Sequence, residues 1–351
     1  MKIPELRTII ISRTDSIGDV VLTLPVAGIL KKEFPGARIV FLGREYTRDI
    51  VNCSENVDEF IDWEELKDKS ISSKVKFFKN LKADAIIHIF PVREITKVAK
   101  LAGIAVRIGT ISRIYNWTTC NLLPLVFRKN SDLHEAQLNA MLLKPIVAKS
   151  HFTLDELVGF YGLTKISGNQ KHTGLPDKSR LNIILHPKSR GSGREWGDHN
   201  FSHLIDILDD RKFKIFICGT ESEGDLIRDT LLNRHQGKIT DLTGKLTLKE
   251  YIHFIHSSDA LIACSTGPLH IAASAGINAL GIYPPIRPVH PGRWKALGRK
   301  VKIFVLDKNC NKCRNSSYCE CMDSIRPEQV LAYLNILFEQ HSFVKPSLKQ
   351  L

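Results

Sequence analysis

Residues 8–22 of this 351-residue chain read TIIISRTDSIGDVVL, a β-branched run followed by a polar loop and the start of a helix. A strand, a loop and a helix in this order begin an open parallel α/β sheet, and such sheets bind ligands beyond the carboxyl ends of their strands. The loop Arg13–Asp19 therefore lies where chemistry is expected. Gly18 allows a tight turn, and Asp19 takes the N-cap or first turn of the helix.

Asp19 has two interpretations at this position. In the first, its carboxylate only caps the helix, where the helix dipole and free N–H groups stabilise a negative charge. In the second, it is an ionised base that faces a cleft and takes the proton of a substrate hydroxyl. Both roles use the same atoms, so the spacing alone leaves both open.

Strand-like and helix-like segments alternate through both halves of the chain, which indicates two α/β domains with parallel sheets. A single large α/β barrel is the rival for 351 residues. Thr164–Ser179 lacks apolar periodicity and is the predicted linker. We expect domains at residues 1–170 and 171–326, and then a C-terminal helix and tail at 327–351, with packing back on the N-terminal domain as one option.

These patterns predict seven strands and seven helices. The predicted strands are Thr8–Ser12, Arg38–Leu42, Ala85–Phe90, Asn182–His186, Lys214–Cys218, Ala260–Cys264 and Ala279–Tyr283. The predicted helices are Val20–Phe34, Arg93–Ala102, Phe201–Asp209, Ser222–Leu232, Thr247–His256, Pro268–Ala275 and Pro327–Gln340.

Composition limits the class of protein. Lys and Arg number 50 against 37 Asp and Glu, and the formal net charge of +13 favours an anionic partner. No nucleic-acid-binding motif accompanies the basic residues, so we expect a phosphorylated substrate or an anionic membrane surface, although a generally basic protein has the same composition. Short apolar runs, an N-terminus unlike a secretory signal and scattered cysteines predict a cytoplasmic protein with reduced thiols.

Two loops of the second half have the composition of a phosphate site. The loop after the strand Asn182–His186 is rich in Gly and Ser, and it offers the hydroxyl of Ser189 and the guanidinium groups of Arg190 and Arg194. The loop after Ala260–Cys264 places a hydroxyl and backbone N–H groups at a helix N-terminus, which is an anion site by geometry. A solvated Gly/Ser loop is the plainer alternative for the first.

A third loop and a histidine complete the candidate ligand site. Glu221 and Glu223 follow a predicted strand, where an acidic residue often binds ribose hydroxyls. His270 lies a few residues into a predicted helix and could face the ligand. The alternatives are a solvated carboxylate and a structural histidine. Three such loops at strand ends in one domain together favour a nucleotide diphosphate as the ligand.

Four cysteines cluster near the C-terminus at Cys310, Cys313, Cys319 and Cys321. The last two are too close in sequence for an ordinary zinc knuckle, and no flanking histidine completes a ligand set. A structural or redox-sensitive loop, a disulfide pair and a zinc site all remain open.

The order of these motifs resembles the heptosyltransferase family, glycosyltransferase family 9, which builds the inner core of bacterial lipopolysaccharide. The resemblance covers nearly the whole chain. It rests on IIISR at 9–13, SIGD at 16–19, LP at 24–25, LHP at 185–187, Trp196, LTGK at 242–245, STGPLHIAA at 265–273 and PGRW at 291–294.

The resemblance implies a GT-B fold, in which two Rossmann-like, doubly wound domains face a central cleft. It implies an inverting transfer that needs no metal or other cofactor, from an ADP-sugar, ADP-heptose above all, to a lipopolysaccharide inner-core acceptor. That acceptor is an anionic glycolipid, so the enzyme would work peripherally at the cytosolic face of the inner membrane. The alternatives are a GT-B glycosyltransferase that uses another nucleotide sugar and a non-catalytic homologue that binds a nucleotide sugar.

The resemblance also implies residue roles. Asp19 matches the general base, and Arg13, Ser16 and Gly18 lie beside it on the acceptor side. The implied donor residues are Ser189, Arg194, Thr266 and Gly267 for the diphosphate, Glu223, Glu221 and Leu246 for the nucleoside, and His270 and Ser265 for the sugar. Two of these depart from the family: Ser265 stands where many members have Asp, which leaves the sugar open, and Arg194 stands where some have Lys.

Overall fold

The computed structural model describes residues 5–129, 131–166, 176–189, 191, 193–287, 289–306, 310, 312, 313, 316 and 318–344, the last four by their backbone only. The chain divides into two compact units, Met1–Ile166 and Ser167–Leu351. Residues 167–175, the larger part of the predicted linker, lie outside the described residues, as does the tail from 345.

The N-terminal unit is built on a five-stranded sheet in the order β3-β2-β1-β4-β5. Its strands are β1 Thr8–Ser12, β2 Arg38–Gly43, β3 Glu59–Asp62, β4 Ala85–His88 and β5 Val106–Ile108. Its helices are α1 Ile17–Val21, α2 Leu24–Glu33, α3 Arg48–Asn52, α4 Glu64–Lys67, α5 Ile71–Asn80, α6 Arg93–Leu101, α7 Asn116–Thr119, α8 Glu135–Met141 and α9 Leu154–Val158, with a 3₁₀ turn at Glu45–Thr47.

The C-terminal unit is built on a six-stranded sheet in the order β11-β10-β9-β6-β7-β8. Its strands are β6 Leu181–His186, β7 Phe213–Ile217, β8 Ile239–Asp241, β9 Ala260–Cys264, β10 Asn278–Ile282 and β11 Val301–Phe304. Its helices are α10 Asp198–Ile207, α11 Glu221–Ile227, α12 Leu248–Ser257, α13 Gly267–Ser274, α14 Pro291–Trp294, α15 Glu320–Asp323 and α16 Pro327–Val344, with a π-helical turn at Arg228–Leu232.

Both sheets are parallel and wind outward from a central strand, β1 in one unit and β6 in the other. The chain first moves to one side of that strand and then crosses to the other. The direction reverses between β1 and β4, and again between β6 and β9. Open α/β sheets bind ligands at this switch point. The prediction of two parallel α/β sheets is confirmed, and the barrel alternative is wrong.

Trp196, one of the residues that carry the family resemblance, belongs to the core of the C-terminal unit. It is fully buried, its Nε1 donates to the Ile325 carbonyl at 2.8 Å, and its ring meets Phe201 edge-on at 5.0 Å. A buried tryptophan needs such a partner for its N–H group. Packing therefore explains this motif residue.

Helix α16 packs on the C-terminal unit through its apolar side chains. Val330, Leu334 and Leu337 belong to the same core as Trp196, and the Phe338 ring lies 5.9 Å from that of Phe213. Packing of the chain end on the N-terminal domain stays a prediction.

The predicted helix Val20–Phe34 is wrong in one respect, because the structure has two helices there. α1 ends at Val21, and α2 begins at Leu24 with Pro25 in its first turn. Proline has no N–H to donate and suits the start of a helix, so the chain begins a new helix at this point. Likewise, the predicted helix Ser222–Leu232 is α11 followed by the π-helical turn.

Within the described part of the chain, no helix combines the length and the apolar character that a bilayer span requires.

Candidate active site

Asp19 lies in the first turn of α1, directly beyond the carboxyl end of the central strand β1. The N-cap of α1 is Ser16 rather than Asp19, so the carboxylate does not hold the capping position. Gly18 is the second residue of α1, and its carbonyl accepts the N–H of Leu22 at 3.0 Å. The tight turn predicted at Gly18 is therefore wrong, because this residue is helical.

The Asp19 carboxylate is held from both of its oxygens. Oδ1 accepts a hydrogen bond from Arg13 Nη2, and Oδ2 lies 2.5 Å from Ser16 Oγ. Its side chain is 18% exposed, whereas that of Arg13 is 3% exposed. The carboxylate is thus oriented by a buried cation and still reaches solvent, as a base for a substrate hydroxyl requires.

Arg13 is the centre of a buried ion cluster. Its Nε lies 2.6 Å from Asp15 Oδ1, and its Nη1 lies 3.5 Å from Glu135 Oε1, which also accepts from Arg128. Burial opposes the charge of Arg13, but Asp15, Asp19 and Glu135 together raise its pKa. Because the ion pairs are shielded from water, they restrict the guanidinium more firmly than surface pairs would. The sequence predicted Arg13, but not Asp15, Glu135 or Arg128.

Asp15 has an unusual titration. Burial, together with the neighbouring negative charge of Asp19, raises its pKa from the ordinary value of 3.8 to about 6, against the attraction of Arg13. A carboxyl group with this pKa changes charge near neutral pH.

The neighbouring strand ends carry two more polar residues that the sequence did not identify. Ser12 and His88 are register partners at the ends of β1 and β4, and both are fully buried. Ser12 Oγ and both His88 ring nitrogens have no hydrogen-bond partner within the described residues. Burial, aided by the charge of Arg107, lowers the pKa of His88 to about 3, so this imidazole is neutral. Each of these polar residues ends an apolar strand, and this feature of the sequence could have identified them.

In the C-terminal unit, the loops after β6 and β9 meet at the switch point. A Cβ added at Gly193 would lie 2.9 Å from the Ser265 carbonyl, which is closer than real side chains pack. Glycine at 193 therefore allows the two loops to touch. The two candidate phosphate loops, predicted separately from the sequence, lie side by side.

Thr266 is the N-cap of α13, and Gly267 is the first residue of that helix. Unlike Thr220 and Thr247, which cap α11 and α12 with their side chains, Thr266 makes no capping bond. Its Oγ1 is buried and has no hydrogen-bond partner in the described part of the chain. A buried hydroxyl without a partner costs about 1 to 3 kcal/mol, which is the kind of group a ligand satisfies.

Ser189 is engaged by its own loop. Its Oγ lies 3.1 Å from both the Gly193 carbonyl and Glu195 Oε1, and its backbone N–H donates to Glu195 at 3.0 Å. Lys188 in turn pairs with Glu195 at 3.2 Å and with Asp198 at 2.9 Å. The sequence did not single out Glu195, yet this carboxylate fixes the shape of the loop.

Arg194 is anchored by the segment that carries the cysteine cluster. Its Nη2 donates to the Cys313 carbonyl at 3.0 Å, and its Nε is buried. This contact joins residues 119 positions apart and aims the guanidinium. Arg190, the other predicted cation, lies outside the described residues.

The residues predicted for the nucleoside lie after β7 and β8, on the side of β6 away from β9. Gly244 has φ +71°, and its N–H donates to the Gly219 carbonyl at 3.0 Å, so the loop carrying Leu246 touches the start of α11. Glu221 is exposed, whereas Glu223 is buried and completes the capping box of α11 by accepting from Thr220 at 2.7 Å. Glu223 therefore has a structural role, and its ribose role stays a prediction.

The two residues predicted near the donor sugar differ in their surroundings. His270 is buried in the first turn of α13. Ser265 is half-buried, and its side chain hydrogen-bonds the hydroxyl of the buried Tyr283, which donates to the Trp294 carbonyl at 3.0 Å.

None of the eight cysteines, all of which are described, forms a disulfide. Cys313 Sγ and Cys319 Sγ lie 3.3 Å apart, and burial raises the pKa of Cys319 to about 11. Within the described residues, no three side chains of His, Cys, Asp or Glu are grouped to hold a metal ion.

The family profile "Glycosyltransferase family 9 (heptosyltransferase)" matches residues 122–321. Lipopolysaccharide heptosyltransferase 3 of Escherichia coli is 22% identical over 286 residues, which span 76% of this chain and 80% of the relative. Among solved structures, the E. coli ADP-heptose lps heptosyltransferase II has a TM-score of 0.74 at 18% identity, over 96% of this chain and 100% of that one. E. coli heptosyltransferase WaaC with ADP-2-deoxy-2-fluoro heptose has a TM-score of 0.69 at 16% identity, over 93% and 99%.

These similarities confirm the predicted GT-B type of fold with two Rossmann-like domains. The profile covers more than half of the chain and includes both candidate phosphate loops. The protein therefore belongs to glycosyltransferase family 9, the heptosyltransferase family, and is a glycosyltransferase.

Proposed function

We propose that the protein transfers a heptose from an ADP-sugar to the inner core of a lipopolysaccharide, with inversion at the anomeric carbon and Asp19 as general base. The names of the family and of the E. coli relatives support the sugar and the pathway, and the ligand of WaaC supports the ADP donor. The acceptor is a glycolipid at the cytosolic face of the inner membrane.

In the proposed reaction, Asp19 takes the proton of an acceptor hydroxyl as its oxygen attacks the anomeric carbon. The new C–O bond forms on the face opposite the diphosphate, and the bond to the diphosphate oxygen breaks. ADP leaves with the electron pair. Arg194, the N-terminus of α13 and the Thr266 hydroxyl stabilise the charge that builds on the leaving group. No metal ion enters the proposal.

The donor half of the proposal is carried by one observation: at the head of α13, the buried Thr266 hydroxyl has no hydrogen-bond partner among the residues that the structure describes. Thr266→Val keeps the shape and removes this hydroxyl. We expect the dissociation constant for ADP to rise about tenfold, because a hydrogen bond to a charged group contributes roughly 1.5 to 3 kcal/mol. The free protein should keep its stability or gain slightly. Titration calorimetry and thermal unfolding measure the two effects.

Thr247→Val is the matched control, since Thr247 caps α12 through a side-chain hydrogen bond to Glu250. It should lower the free energy of unfolding by about 1 kcal/mol and leave ADP affinity unchanged. Equal ADP affinity of wild type and Thr266→Val would contradict a diphosphate at α13.

The titration of Asp15 should determine how kcat/KM depends on pH at acidic pH. Above its pKa of about 6, Asp15 is charged and holds Arg13, which orients Asp19; below it, the ion pair weakens. We therefore expect kcat/KM to fall as the pH drops through 6, and this fall to be absent from Asp15→Asn.

The same pKa separates this loss from unfolding. The folded protein binds the Asp15 proton more tightly than an unfolded chain with a pKa near 3.8, so acidification through this group raises stability. Protonation of Asp15 should therefore lower the activity as the pH falls through 6 without lowering the melting temperature. An unchanged acidic limb in Asp15→Asn would contradict the positioning role.

The donor could instead be another nucleotide sugar, and Ser265 is the observation that favours this alternative. The residue is tied to Tyr283 and supplies no carboxylate to the sugar. A thermal-shift panel of ADP-, UDP- and GDP-sugars compares the proposed donor with the alternatives directly, since the preferred ligand raises the melting temperature most. Product formation from any of them would dismiss a non-catalytic role.

A further inference from the structure

The N-terminal unit has a concentration of exposed apolar side chains that the proposed reaction does not use. Thirteen large hydrophobic side chains are exposed among the described residues, and seven of them fall within residues 90–133. Four are strongly exposed, at 78% for Ile114, 61% for Trp117, 69% for Leu125 and 63% for Phe127. Such a cluster on a soluble domain marks an interaction site.

These side chains stand on one connected piece of structure. The Thr118 carbonyl in α7 accepts from Lys100 Nζ at 2.7 Å, which joins α7 to the end of α6. Residues 121 and 122 pair with Arg107 in β5. We call Arg113, Ile114, Trp117, Leu125, Phe127 and Lys129 the 113–129 surface.

The 113–129 surface lies at the same edge of the sheet as the Asp19 loop. Tyr115 donates to the Pro91 carbonyl at 2.7 Å, and Arg128 Nη2 lies 3.4 Å from the Ile89 carbonyl, both just beyond the end of β4. β4 is the neighbour of β1, which the Asp19 loop follows. A molecule resting on this surface therefore lies beside the acceptor side of the site.

The charge around these side chains is predominantly positive. Residues 91–133 contain seven Lys and Arg and two Asp and Glu. Arg113 and Lys129 are exposed and flank the apolar side chains in sequence. The indole N–H of Trp117 donates to the Ile111 carbonyl at 2.9 Å, so its polar group is satisfied while the rest of the ring is exposed. Aromatic side chains interleaved with cations suit the headgroup region of an anionic bilayer.

We propose that the 113–129 surface docks the enzyme on an anionic lipid bilayer and so presents the membrane-bound acceptor to Asp19. The proposal rests on the proposed function for its acceptor. Ile114, Trp117, Leu125 and Phe127 enter the headgroup layer, while Arg113 and Lys129 pair with lipid phosphates.

Vesicle sedimentation tests this proposal with the full chain. Wild type should bind vesicles of phosphatidylcholine and phosphatidylglycerol at 3:1 and bind pure phosphatidylcholine at least tenfold more weakly, with binding reduced by high salt. The triple variant Trp117→Ser, Leu125→Ser, Phe127→Ser and the double variant Arg113→Gln, Lys129→Gln should each lose at least tenfold in partition coefficient.

The C-terminal unit offers matched controls. Leu226 is 68% exposed, like Leu125, and Ile336 is also exposed, so Leu226→Ser with Ile336→Ser controls for lost apolar surface. Arg211→Gln with Arg234→Gln controls for lost charge, since both side chains are largely exposed. Control variants that lose as much vesicle binding as the test variants would overturn the proposal. Absence of vesicle binding, or self-association abolished by the triple variant, would overturn it too.

Trp117 also reports its own position. Lipids brominated on their acyl chains should quench part of the tryptophan fluorescence of vesicle-bound wild type, and Trp117→Phe should bind normally but lose that quenching. Trp63 and Trp196 are buried, and Trp294 is half-buried and belongs to the C-terminal unit, not to the 113–129 surface. Quenching that survives Trp117→Phe would contradict the orientation.

ADP-induced thermal stabilisation, measured on every variant, should be unchanged. Its absence from wild type would count against the proposed donor and leave the vesicle result intact.

Discussion

Replacing Asp19 by Asn should lower kcat by about 10³-fold, since a positioned general base contributes roughly 10² to 10⁴ in rate. The amide keeps the shape of the carboxylate beside Arg13 and Ser16 but cannot take a proton from the acceptor hydroxyl. ADP affinity should stay within about twofold of wild type, because Asp19 is proposed to act on the acceptor and not on the donor. Steady-state transfer kinetics and calorimetry with ADP measure the two effects.

Asp49→Asn is the matched control, because Asp49 also lies in the first turn of a short helix of the same unit. It should leave kcat unchanged. If Asp19→Asn retained more than about a tenth of wild-type kcat, another group would have to accept the proton, and Asp15 would be the first candidate.

Replacing Arg194 by Gln should lower kcat by about 10²-fold with a smaller change in KM. The guanidinium is anchored to the Cys313 carbonyl and is proposed to meet charge that grows as ADP departs. Removing one preorganised donor to developing charge costs roughly 10² to 10³ in rate. Transfer kinetics with saturating acceptor separate kcat from KM.

Arg180→Gln controls for the loss of one positive charge from the same unit, since Arg180 pairs with Asp177 near the start of β6, at the opposite end of that strand. Its kinetics should match wild type. A KM effect in Arg194→Gln with unchanged kcat would mean that Arg194 binds the donor equally in the ground state, and the leaving-group role would be wrong.

The fold was predictable where a strand is long, apolar and followed by a glycine-containing loop. Thr8–Ser12 and Ala260–Cys264 were predicted with the bounds they have in the structure. β3, β5, β8 and β11 were missed because strands of three or four residues are too short to show a period. The break between α1 and α2 was missed although Pro25 signals it.

The candidate site was predictable as a set of loops and not as a set of contacts. Sequence places Thr266 at a helix start, but only the structure reveals that its hydroxyl is buried without a capping bond. Arg13 meets Glu135 across 122 positions, and Arg194 meets Cys313 across 119. Pairs so distant in the chain follow from tertiary packing, which no local pattern encodes.

The head of α13 has a consequence for protein engineering. Redesign for thermal tolerance commonly introduces aspartate at the N-cap of a helix that lacks a side-chain capping bond. Helix α13 is such a target, because its N-cap Thr266 makes no side-chain capping bond. The same carboxylate would repel a diphosphate. A variant selected only for heat resistance at this position would therefore be a sturdier protein and a poorer transferase.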